Sequence, residues 1–76
     1  MRRFEDAHGS AWDVVVGRES WGAFYAIFVP AGAGRREPVR QAPLHGSSAE
    51  AAEAELAAMD DATLRALLAR SVVKER

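Results

Sequence analysis

The sequence predicts an α+β domain: an antiparallel β-meander of three to four strands, followed by two C-terminal helices packed on one face of the sheet. Three observations carry this. Up to Gly46 the chain consists of short segments rich in Val and aromatic residues, punctuated by Gly and Pro. Beyond Gly46 neither Gly nor Pro occurs, and Ala, Glu and Leu take over. With 76 residues there is room for one core only. The expected layout is a single domain over 1–76, with strands at about 2–6, 11–17, 21–29 and 38–43 and helices at about 48–59 and 61–72.

The stretch "RRFEDAHGSAWDVVV" reads as a hairpin. Asp6 suits the first position of a type I turn, and Gly9 suits the left-handed position that closes a three-residue loop, Ala7 to Gly9. That register sets Phe4 opposite Trp12 on one face and Arg3 opposite Asp13 on the other, giving an aromatic pair and an ion pair. A two-residue loop at His8-Gly9 would instead oppose Phe4 to Asp13.

"GRES" then turns the chain into a third strand, Trp21 to Val29, which is apolar on both sides. If Arg18 and Glu19 alone form the turn, Val16 faces Trp21 and Val14 faces Ala23. The face under the helices is then Phe4, Trp12, Val14, Val16, Trp21, Tyr25 and Ile27, and the open face carries Val15, Phe24 and Phe28. If Ser20 also belongs to the turn, the pairing slips by one and Phe24 and Phe28 move inside. The first register collects more apolar area beneath the helices and is the one expected. "PVRQAPL" supplies a fourth strand, placed at an edge because prolines at both ends cannot donate to a ladder.

In the Ala-rich half, Ser47 followed by Glu50 forms a capping box for the first helix, whose apolar stripe is Ala49, Ala52, Leu56 and Met59. Asp60 caps the second, with Leu64, Leu67, Leu68 and Val72 as its stripe. Glu50, Asp60 and Asp61 fall in first turns, where the helix dipole favours negative charge.

Composition narrows the function classes. Net charge is −1 with a pI near 6.1, which makes no electrostatic case for nucleic acid or anionic lipid. The absence of Cys removes disulfides, and two His without Cys do not make a tetrahedral zinc site, so no metal or cofactor is expected. Self-association is the remaining stabilising device for a domain this small. The N-terminal residues lack the apolar core of a secretory signal, and the longest apolar run is far below the ~20 residues of a membrane helix, so a cytoplasmic protein with no membrane partner is expected. Nine Arg to one Lys, with abundant Ala, points to a GC-rich bacterial source.

Several short motifs fit ordinary structural duty. "GRESWG" has Gly22 two residues after Ser20, but Arg18 stands where a nucleophile elbow needs glycine. His8 at a turn tip and His45 before a helix cap would need an enclosing pocket and an orienting carboxylate to act as catalysts. The acidic residues Glu50, Glu53, Glu55, Asp60 and Asp61 lack calcium-loop spacing. "AGAGRRE", with Gly32 and Gly34, is followed by Pro38 rather than a helix N-terminus and so is not a phosphate cradle. No catalytic residues and no small-molecule substrate are indicated.

What remains is the two-faced strand. Two short helices cover one face of the sheet, and no residues are left for the other; an apolar patch of this kind marks an interaction surface. The expectation is a small non-catalytic protein-interaction or regulatory module that self-associates or docks a larger partner, with Val15, Phe24 and Phe28 as anchors and Arg3 and Asp13 at a polar rim. The alternative is an RNA- or ribosome-associated accessory protein using Arg2, Arg3, Arg18, Arg35, Arg36 and Arg40, which scatter over both ends of a meander.

Overall fold

The computed structural model describes residues 2–32 and 35–74, so Gly34 of the glycine loop lies outside them. Four strands come first, β1 (Arg2–Glu5), β2 (Ala11–Arg18), β3 (Phe24–Pro30) and β4 (Arg40–Pro43). Helices α1 (Ala49–Ala57) and α2 (Asp61–Ala69) follow, and a short β5 (Val72–Val73) ends the described chain. The sheet is an antiparallel meander, β1-β2-β3-β4-β5, with the helices on one face.

The first hairpin has the expected register, with Phe4 opposite Trp12 and Arg3 opposite Asp13. Asp6 N–H donates to Ser10 O and Gly9 N–H to Asp6 O, and Gly9 takes φ +80°. Only glycine enters that region freely, which is why the turn closes there. The Asp6 carboxylate accepts from the amides of His8 and Ser10 and from the indole N–H of buried Trp12, 2.9 Å away. One side chain thus ties the turn to the core.

The second hairpin differs from expectation in register and face. Val14 pairs with Phe28, Val16 with Ala26 and Arg18 with Phe24. The turn runs from Glu19 to Ala23, taking in both Ser20 and Trp21. Glu19 N–H donates to Ala23 O, Gly22 N–H donates to Glu19 O, and Gly22 takes φ +89°. This is the bonding pattern of the first turn. Lengthening the loop to close on Gly22 shifts the pairing so that Phe24, Ala26 and Phe28 join Trp12 and Val14 under the helices.

The core therefore lies between the even-numbered strand residues and the helices. Phe4, Trp12, Val14, Ala26, Phe28 and Ala42 meet Leu56, Leu64, Leu67 and Leu68. Phe4 and Phe28 pack edge to face with centroids 5.9 Å apart, a geometry that aromatic quadrupoles favour.

Three further expectations are corrected. β4 is an interior strand, because Val72 and Val73 return beside it and Lys74 N–H donates to Val39 O. Pro43 is tolerated because it sits at the strand's last position, and Pro38 precedes the strand. Val72 belongs to β5 rather than to a helical stripe. The cap of α1 is Ser48, whose hydroxyl accepts from Ala51 N–H at 3.1 Å; Ser47 lies one residue outside, so no Ser47–Glu50 capping box forms. Asp60 caps α2 as expected, accepting from Thr63 N–H at 2.8 Å.

Gly46 is fixed by packing. A Cβ there would stand 2.6 Å from Ala52 N, so the loop approaches the first turn of α1 more closely than any side chain permits. The Glu55 carboxylate holds this approach, accepting from the amides of His45 and Gly46. Among the described residues no helix is long and apolar enough to cross a membrane.

Candidate functional site

Residues directly opposite one another across strands share a face, so the ladder defines the surface turned away from the helices. Its central row is Val15, Ile27, Gln41 and Val72. On one side lies the row Arg3, Asp13 and Val29, and on the other Gly17, Tyr25 and Pro43. Val29 and Val72 are 38% and 59% exposed, and Val15, Tyr25 and Ile27 are half-buried. Ile27 leans across the notch at Gly17, where an added Cβ would lie 2.6 Å from its Cγ1. No helix covers this surface: α1 packs against β2 and β3 and α2 against β1 and β4, all from the other side.

Of the residues expected as its anchors, Val15 lies on this face, and Arg3 and Asp13 sit at its edge as a bonded pair, Nε to Oδ1 at 2.9 Å. The Arg3 guanidinium holds the Asp13 carboxyl below its ordinary value. Phe24 and Phe28 are elsewhere, 6% and 0% exposed beneath the helices. Tyr25, Ile27, Val29 and Val72 take their places. The spacing of Gly9 and Gly22 would have revealed this, because each glycine stands three residues after an acidic residue, in "DAHG" and "ESWG". Trp21, at the tip of the second turn, is the most exposed large apolar residue among the described residues, at 71%.

The six arginines of the nucleic-acid alternative are not gathered. Arg2 pairs with Asp61 and donates to Met59 O at the junction of the helices. Arg3 is on the open face with Asp13. Arg35 stacks over the Trp12 ring at 5.0 Å and bonds Glu37 at 2.7 Å. Arg18 lies over Phe24 at 5.9 Å, Arg40 bonds Ser71, and Arg36 is exposed. Three of the six are thus neutralised by carboxylates, and the rest point to different parts of the surface.

Each histidine stands near a carboxylate. His45 Nδ1 lies 3.1 Å from Glu55 Oε2, but that imidazole is almost wholly solvated. His8 shares a cleft with Asp6, whose oxygens are already occupied by the backbone and Trp12. Ser20 is exposed on the turn preceding Trp21. Among the described residues neither imidazole is hydrogen-bonded to a serine or threonine hydroxyl.

No family model, curated protein or solved structure matches the chain.

Proposed function

We propose that this protein is a non-catalytic interaction module, and that its open sheet face docks a second copy of the same chain. The observation that carries the reading is the apolar block of Val15, Tyr25, Ile27, Val29 and Val72 on the face opposite the helices, where Val29 and Val72 are exposed.

Size supports a self-contact. The molecule is a slab of 33 × 28 × 20 Å, and its total surface is 4989 Å². The broad face offers roughly 700 Å², near the ~800 Å² per partner of a standard interface. Burying the block on two copies contributes several kcal/mol in sum. The Arg3–Asp13 pair, carrying both signs, supplies a rim that meets its own copy without net repulsion.

Light scattering over a concentration series tests the reading. The expected result is a dimer that dissociates on dilution, with Val29→Asp monomeric throughout yet unchanged in circular dichroism. A wild-type chain that stays monomeric at millimolar concentration would overturn it.

A further inference from the structure

A second feature lies on the helix side, away from the open face. A cleft of about 420 Å³ opens between the tip of the first hairpin, the last turns of α2 and β4; Asp6, His8, Arg40, Arg65 and Leu68 line it. Its arginines differ from those paired elsewhere. Arg2, Arg3 and Arg35 each reach a carboxylate within 3.0 Å. Among the described residues neither Arg40 nor Arg65 makes an ion pair.

Both guanidinium groups are nevertheless held in place, by neutral oxygens. Arg40 donates from Nε to Ser71 Oγ at 2.9 Å and from Nη2 to Ser71 O at 2.6 Å. Arg65 donates from Nη1 to Glu5 O at 3.1 Å. Each guanidinium carries five N–H donors, so both keep unused donors after these bonds. Asp6, the one carboxylate lining the cleft, bonds the Trp12 indole and the Ser10 and His8 amides rather than either arginine, so its negative charge remains and the two guanidinium groups outweigh it by one. Although burial pushes its pKa up, the Trp12 indole and the Ser10 and His8 amides outweigh that and hold it below the ordinary value. Leu68 and Ala69 add apolar lining beside the two guanidinium groups.

We propose that this cleft binds a small oxyanion, a phosphate or carboxylate group, through the free donors of Arg40 and Arg65, with His8 at the rim. Fixed guanidinium forks suit planar or tetrahedral oxyanions, and their prior anchoring lowers the ordering cost of binding. This site is independent of the open face.

The test is a ¹⁵N-¹H correlation titration of the full chain with inorganic phosphate, and separately with acetate, at constant ionic strength maintained with sodium chloride. Saturable shifts confined to residues 6–10, 40 and 65–69 are expected. Saturation by phosphate alone, acetate alone or both supports the site and identifies its ligand class. Arg65→Gln should weaken binding by about tenfold or more, since a bond to a charged group is lost. Arg70→Gln, an exposed arginine outside the cleft, should leave it unchanged. Arg40→Lys keeps the charge and loses the fork, so it should weaken binding without removing the local cation. Shifts that never saturate, that chloride reproduces, or that persist undiminished in Arg65→Gln would overturn the proposal.

Discussion

The two faces of the sheet are built from alternate residues of the same strands, yet they have different fates. Under the helices, Val14, Ala26, Phe28 and Leu64 are sealed to 0% exposure. On the other side, Val15 and Ile27, immediate chain neighbours of Val14 and Phe28, are only half-buried. β-branched and aromatic residues suit a strand on either face, so propensity does not distinguish the two. What differs is the number of layers. Two nine-residue helices suffice for one side of the sheet, and the other is left as a second hydrophobic surface.

This contrast is open to measurement, and the largest effect is expected at Phe28. Phe28→Ala should lower unfolding stability by about 3–5 kcal/mol, because the cavity is enclosed by the sheet and both helices. Ile27→Ala, one residue along, should cost well under half as much in dilute solution, where the open face meets water. Urea denaturation at low protein concentration reads both. Equal losses would mean that the open face is covered within one chain.

Glycines sharpen the comparison at a smaller scale. Gly46→Ala drives a methyl into the backbone at Ala51 and Ala52. It should destabilise by about 1–3 kcal/mol, as overpacking does when neither side can yield. Gly17→Ala meets only the Ile27 side chain, on the open face, which can rotate away. Its loss in the same denaturation series should be the smaller of the two.

The third difference concerns pH. Asp6 ties Trp12 of the covered face to its turn, and its pKa in the folded protein lies below the ordinary 3.8. The unfolded chain binds that proton more readily, so this contribution is fully present above pH 3.8 and is lost as the pH falls through the lowered folded value. Asp6→Asn should therefore reduce stability at neutral pH and flatten its decline below pH 4. Asp13, lowered mainly by its bond to Arg3, follows the same sign on the open face. Because that pair is solvated, Asp13→Asn should change the acid limb less. Thermal melts between pH 2 and 7 compare the two variants.

The legible parts of the fold were those decided by local chemistry. "EDAHGS" specifies its own loop, because Asp6 supplies the turn carboxylate and Gly9 the left-handed residue, and the facing pairs Phe4–Trp12 and Arg3–Asp13 agree with it. Asp60 and the leucines of α2 are legible for the same reason: cap and stripe lie within one helix. The second turn misled because Glu19 lacks the short carboxylate that bonds its own turn, and Trp21 counts as a strand residue on composition. Only the glycine position marks it. That ambiguity in loop length moved Phe24 and Phe28 from one face to the other, since sheet parity turns any odd slip into an inversion.

By itself, the sequence determined an α+β chain with one self-specified hairpin, two capped helices and a third strand too apolar for a single core face. Tertiary structure decided which half of that strand is buried. It also paired "VV" near the C-terminus beside β4, and it brought Arg40 and Arg65 to one cleft from positions 25 residues apart in the sequence. The reason is that turn and cap chemistry acts over a few neighbouring residues, whereas strand register and cleft assembly depend on contacts between segments distant in the chain.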